Sequence, residues 1–210
     1  MSFGRKQDLP KARIDLAGLV RGSLQMLRLT LPATVRIDHE ILEVPLVLAD
    51  ADELNQVVVN LVTNAAHAIG AATGTVRVSL APAASGERGA LEAGCQWIRL
   101  SVADTGCGMD ADTVRRIFEP FFTTKEVGQG TGLGLSVVHG IVTDHGGRID
   151  VESERGIGTK FTIYLPTGAI AARDNAVQAT TDAAASSGFG TRKVPARLGE
   201  SAADQRRRRP

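Results

Sequence analysis

Large apolar residues recur at helical spacing in three stretches of the chain. From Ile14 to Leu29, the residues Leu16, Leu19, Val20, Leu24 and Leu27 fall on one helix face, and Leu31-Pro32 closes the run. A longer run carries Leu54, Val57, Val58, Leu61, Val62 and Ala65, with Asp50 or Asp52 placed to cap its start and Gly70 to end it. The third predicted helix runs from about Leu133 to Asp144 and stops at Gly146-Gly147. Strand patterning fills the intervals. Val35–His39 alternates, Pro45–Leu48 reads as a short second strand, and Thr75–Leu80 and Gln96–Ala103 follow, joined by a Gly/Ala/Ser loop from Ala81 to Gly94. A last hairpin pairs Arg148–Glu152 with Lys160–Leu165 around Gly156-Ile157-Gly158. This order predicts an α/β fold: a two-layer sandwich with helices on one face of a mixed sheet.

Composition bounds what such a sandwich does. With 43% hydrophobic residues in 210, the chain can build one core plus a tail. Its 24 Lys+Arg against 23 Asp+Glu leave a net charge of +1, too little for a dedicated nucleic-acid binder. One Trp and one Tyr also make a poor base-stacking platform. No apolar run has the length of a membrane helix and no secretory signal opens the chain, so a cytoplasmic location is expected.

The charge is uneven: residues 1–166 carry 16 basic and 19 acidic side chains, whereas 167–210 carry 8 and 4. The segment from Thr167 has almost no large apolar residue and ends in Arg206–Arg209. Burial cannot offset its ordering entropy, which predicts a disordered basic tail with solvated arginines. Cys95 and Cys107 lack partners at zinc spacing and are expected as small buried or half-buried thiols.

Four clusters carry candidate chemistry. Asn60, Asn64 and His67 fall at i, i+4 and i+7 of the long helix, a polar stripe opposite Val58, Leu61 and Val62. Paired carboxamides suit a phosphate-bound Mg²⁺, although alone they are also what an exposed helix face carries. Asp104-Thr105-Gly106-Cys107-Gly108 leaves a strand end, where a buried carboxylate can read an exocyclic amine or simply form an Asx turn. Phe118, Phe121 and Phe122 sit in a stretch without strand alternation and need anchoring. Finally, Gly128, Gly130, Gly132 and Gly134 alternate into a helix start, presenting backbone N–H groups to an anion. No Gly-Lys-Ser/Thr follows, so this is not a Walker A loop, and it lacks the strand and spacing of a dinucleotide fingerprint.

Taken in order, these clusters resemble the catalytic ATP-binding domain of bacterial two-component sensor histidine kinases, within the gyrase, Hsp90, histidine kinase and MutL superfamily. Asn60/Asn64 resemble the N box, Asp104-Gly106-Gly108 the first glycine box and Phe118–Phe122 the F box. Gly130–Leu135 resembles the second glycine box and Gly156–Thr159 the closing turn. The resemblance covers about residues 10–166 and implies the Bergerat fold, with a mostly antiparallel sheet.

It also implies roles. Asp104 would accept from the adenine amine, near Gly106, Gly108 and Thr159. Asn64 would ligate Mg²⁺, with Asn60 beside it and His67 near phosphate. Backbone N–H groups of Gly130, Thr131, Gly132, Leu133, Gly134 and Leu135 would hold the phosphates. Lys125 and Thr124 would act from a mobile lid over about Met109–Thr131, pinned by the three Phe.

Hydrolysing members of the superfamily carry Glu where this chain has Asn60, and an amide cannot take a proton from water. Transfer of the ATP γ-phosphate to another acceptor is therefore expected. None of His39, His67, His139 and His145 sits in a His-Glu/Asp-x-x-x-Pro box: after His39 the proline is one residue too far. Residues 1–9 read as the remnant of a dimerisation hairpin helix, so the acceptor histidine is expected on a dimerisation domain upstream or in trans. A response-regulator receiver domain is expected downstream in the relay. The alternative is a stand-alone nucleotide-binding regulatory module.

Overall fold

The computed structural model describes residues 11–84, 96–124 and 130–167. The elements are β1 (Ala12–Ile14), α1 (Leu16–Thr30), β2 (Val35–Ile41), β3 (Val47–Ala49), α2 (Ala51–Ile69), β4 (Gly74–Pro82) and β5 (Trp97–Asp104). After these come α3 (Ala111–Arg116), α4 (Gly134–Asp144), β6 (Arg148–Glu154) and β7 (Gly158–Pro166). Five strands form the main sheet in the order β2-β4-β5-β7-β6, while β1 pairs with β3 apart from it. Only β2 and β4 run parallel in that sheet, so it is mixed and mostly antiparallel.

Alternation decides which side chains meet the helices. The rows Val78–Val102–Phe161 and Leu80–Leu100–Ile163 cross the three central strands, and all six residues are buried. Helices α1, α2 and α4 cover this face with Val20, Leu24, Val58, Leu61, Val62, Val138 and Val142. Each such burial contributes about 1.5–3 kcal/mol. On β5 the inward series is Ile98, Leu100, Val102 and then Asp104. The period that builds the core thus turns a carboxylate toward the helices at the strand's last residue.

Three helices begin on an aspartate. Asp15 accepts from the Gly18 N–H at 3.0 Å, and Asp110 from the Thr113 N–H at 2.7 Å. Asp50, rather than Asp52, caps α2, accepting from Asp52 and Glu53 at 2.9 and 3.2 Å. Helix α4 differs. Leu133 stands at its cap position, and no side chain accepts a capping hydrogen bond.

Some boundaries depart from the expected ones. Helix α1 starts at Leu16 rather than Ile14, because Ala12–Ile14 is drawn into antiparallel pairing with Val47–Ala49. That pairing also moves the short strand expected at Pro45–Leu48 toward Ala49. Helix α3 falls inside the span Met109–Thr131, where a lid and no helix was expected; it buries none of its residues and so carries no apolar stripe. Just past the end of β7, the Thr167 N–H donates to the Gln96 carbonyl at 2.8 Å. The expected hairpin remnant at 1–9 and the tail beyond Thr167 lie outside the described residues. No helix among the described residues is long and apolar enough to cross a membrane.

Candidate functional site

Asp104 is half-buried at the end of β5. Its Oδ1 accepts from the Gly106 N–H at 2.8 Å and the Thr159 N–H at 3.3 Å. Its Oδ2 takes no hydrogen bond among the described residues. Burial pushes its pKa above the ordinary aspartate range, while the N–H groups of Gly106 and Thr159 pull it down. The carboxylate is therefore held by one oxygen and can offer the other to a donor.

The glycines after it serve close approach. The Cys107 N–H donates to the Ala68 carbonyl at 3.0 Å, and a Cβ on Gly106 would lie 2.5 Å from the Ala68 carbonyl carbon. Gly108, at φ 62°, meets the opposite wall, where a Cβ would strike the Glu154 carbonyl oxygen. The loop is thus wedged between the end of α2 and the β6–β7 hairpin. Cys107, between the two packed glycines, is exposed, not buried or half-buried as expected. Ser153, which the sequence did not single out, closes this corner. Its hydroxyl accepts from the Met109 N–H at 2.9 Å, donates to the Gly158 carbonyl at 3.1 Å and lies 2.9 Å from the buried Thr159 hydroxyl. The only available signal was register, since Ser153 lies opposite Thr159 across the hairpin.

Asn60, Asn64 and Ala68 recur at i, i+4 and i+8 along one face of α2, a span of about 12 Å. Ala68 receives Gly106 at one end of this span. The other end receives the start of α4: Asn60 Nδ2 donates to the Gly134 carbonyl at 3.4 Å. A Cβ on Gly134 would lie 3.7 Å from Asn60 Oδ1 and 3.8 Å from Asn64 Nδ2. Both asparagines are half-buried, whereas His67 is exposed in the last turn of α2. Gly132, at φ 66°, turns the chain into α4, and the Thr131 hydroxyl accepts from the Leu133 N–H at 3.4 Å. An uncapped helix N-terminus beside two neutral carboxamides suits a phosphate and its counter-ion. Among the described residues no cluster of three or more His, Cys, Asp or Glu could hold a metal, so a cation here would depend on ligand oxygens plus a carboxamide.

The aromatic cluster divides. Phe118 and Phe122 pack against the core; the Phe118 ring centroid lies 5.1 Å from that of His139 on α4, and the Arg116 guanidinium lies 4.4 Å from that of Phe122. Phe121 is 73% exposed at φ 66°, so the anchoring expected of all three rings holds for two. Its left-handed backbone turns the ring outward while its N–H stays engaged with the Gly132 carbonyl. Thr124 is exposed, Gly130 is half-buried, and Leu135 is partly buried against the core. Lys125 lies outside the described residues. His39 sits on β2 with Nδ1 3.2 Å from the Arg28 guanidinium, as a strand residue should.

A family profile described as "Histidine kinase-, DNA gyrase B-, and HSP90-like ATPase" matches residues 49–169. The sensor kinase CckA of Brucella abortus (strain 2308) is 40% identical over 87% of this chain and 21% of its own length. The sensor histidine kinase ZraS of Klebsiella oxytoca is 47% identical over 56% of this chain and 23% of its own length. The chain therefore spans less than a quarter of these curated relatives.

Among solved structures, the catalytic domain of histidine kinase ThkA aligns over 76% of this chain and 97% of its own, with a TM-score of 0.63 and 30% identity. Full-length ShkA in complex with AMPPNP aligns over 78% of this chain and 32% of its own, with a TM-score of 0.62 and 30% identity. The profile covers the span from the α2 cap through the β7 strand, and a solved catalytic domain is matched along nearly its whole length. On these grounds the chain belongs to the histidine kinase-, DNA gyrase B- and HSP90-like ATPase family, as an ATP-binding catalytic module of the two-component sensor kinases.

Proposed function

We propose that this chain binds Mg²⁺-ATP along α2 and the start of α4 and passes the γ-phosphate to a histidine on a dimerisation domain. The observation that carries the reading is the bare N-terminus of α4 set against Asn60 and Asn64, in a chain whose other described helices begin on aspartate. Oδ2 of Asp104 accepts the adenine amine, and Thr159, Gly106 and Gly108 keep that carboxylate in place. The roughly 12 Å of α2 between Ala68 and Asn60 matches the reach from a base to its terminal phosphates.

Backbone N–H groups from Gly130 to Leu135 hold the phosphates, with Thr124, Lys125 and His67 as polar neighbours. Asn64, with Asn60 beside it, holds Mg²⁺, which neutralises charge on the phosphate oxygens when bound. The Asn60 amide donates to the Gly134 carbonyl and cannot take a proton from water, so water is left unactivated. An incoming imidazole needs no such base, which favours a histidine as acceptor. A receiver domain of a response regulator then takes the phosphoryl group, and the setting is the cytoplasm.

The test mixes the full chain, γ-labelled ATP and a supplied histidine-bearing dimerisation domain. Labelled histidine is expected with the wild type and not with Asp104→Asn. Intact ATP binding without any transfer would replace this reading with that of a regulatory nucleotide-binding module.

A further inference from the structure

The phosphate-binding geometry proposed above depends on how α4 sits against α2, and a second contact far from the site joins the same two helices. The two helices run antiparallel: Asn60 meets Gly134 at one end, and Asp50 meets His145 at the other. Ten residues of α2 and eleven of α4 separate these contacts, about 15 and 16 Å of helix. The spans match, so the two contacts act as rungs at either end of one helix pair.

The far rung is a single buried ring. His145 is 3% exposed, and its Nε2 accepts from the Asp50 backbone N–H at 3.1 Å. Accepting at Nε2 requires that nitrogen to be bare, so the proton sits on Nδ1, which donates to the Ile141 carbonyl at 2.8 Å. Glu53 Oε2 lies 3.9 Å from the same Nδ1. The bond partners are 95 residues apart in sequence: one is the capping residue of α2, and the other is the C-terminal cap of α4. Between the rungs the two helices bury apolar side chains in one shared core, Leu54, Val57 and Val58 from α2 and Val138, Ile141 and Val142 from α4. Apolar burial is non-directional, whereas a hydrogen bond fixes the separation of two particular atoms.

We infer that His145, as its Nδ1–H tautomer, is a positioning residue that fixes the axial register of α4 on α2 and so aims the α4 N-terminus at the nucleotide phosphates. The inference rests on the nucleotide reading given above, which places phosphates at that N-terminus.

Two substitutions separate the register bond from general packing. In His145→Gln the longer amide reaches the Nε2 position and restores an acceptor for the Asp50 N–H. In His145→Asn the shorter amide keeps the donor toward Ile141 and loses that acceptor. With the full chain, His145→Asn is expected to weaken Mg²⁺-ATP at least about fivefold while leaving adenosine affinity unchanged, and His145→Gln to restore ATP affinity. Long-range ¹H–¹⁵N spectra should show a bare Nε2 and a protonated Nδ1 for His145.

Equal weakening of ATP and adenosine, or a His145→Gln variant no better than His145→Asn, would overturn the proposal. An Nε2–H tautomer would do the same. If the wild type binds neither ligand, the nucleotide reading falls and takes the functional half of this one with it. The tautomer then still decides the geometric half.

Discussion

Phe121 and Gly132 meet backbone to backbone: the Phe121 N–H donates to the Gly132 carbonyl at 3.0 Å, and both residues hold φ at 66°. A Cβ on Gly132 would strike the Phe121 backbone. Gly132→Ala therefore meets both a forbidden dihedral and a clash, and is expected to cost at least about 2 kcal/mol. Phe121 pays about 1–2 kcal/mol for its left-handed backbone while its exposed ring gains little burial. Phe121→Gly should leave stability within about 1 kcal/mol of wild type or raise it. Urea unfolding of the two variants checks this, and equal losses in both would rule out the contact as the constraint.

Two residues further on, the expectation reverses. A Cβ on Gly134 meets Asn60 and Asn64 only at ordinary contact distances. Alanine there gains up to about 1 kcal/mol of helix propensity, so Gly134→Ala should unfold no earlier than wild type. Its methyl nevertheless fills the opening between the carboxamides and the helix start. Calorimetry should find Mg²⁺-ATP weakened at least about tenfold, the scale of one lost charge-assisted hydrogen bond. Unchanged affinity would move the phosphates elsewhere.

Asp104 predicts opposite pH trends for folding and binding. Its raised pKa means that folding favours the protonated form. That contribution to stability is fully present below the ordinary aspartate range and is lost as pH rises through the raised value. Adenosine binding should run the other way, weakening as pH falls through the same window, because the ionised carboxylate is the stronger acceptor. Asp104→Asn should bind roughly 10–100-fold more weakly at neutral pH, show no such pH dependence and unfold no earlier. A variant that keeps the wild-type pH profile would show that another group sets it.

The asparagine pair predicts a division of labour. Asn64→Ala should abolish most of the difference between ATP affinity with Mg²⁺ and with a chelator. Asn60→Glu places a base where water is otherwise unactivated, and phosphate release by the isolated chain is expected to rise above the wild-type level. Loss of the Mg²⁺ effect in Asn60→Ala but not in Asn64→Ala would exchange the two roles.

How far these residues could be read from the chain depends on the range of their interactions. Helix α2 was legible almost from end to end, because six apolar residues at helical spacing, a cap at Asp50 or Asp52 and a Gly70 stop are all local signals, and only the choice between the two aspartates was left to the structure. The inward alternation of β5 likewise led to Asp104. Strand β1 was hidden, since three residues form a strand only through partners 33–37 positions away. Helix α3 has a local sign in Asp110 and Thr113, yet no apolar face to confirm it. The outward turn of Phe121 rests on a dihedral that residue type opposes, and the His145 rung joins positions 50 and 145. Neither leaves a trace in any short window of sequence.

The bare start of α4 also sets a limit on engineering this chain. Writing Ser or Asp at position 133 is the standard repair for an uncapped helix, with a gain of about 1 kcal/mol. A capping oxygen there would claim the same N–H groups that an incoming anion needs, and an aspartate would add like charge against it. Selection for thermal endurance and selection for anion binding would therefore pull this one position in opposite directions, and a stabilised variant carrying that change should be the one that holds ATP least well.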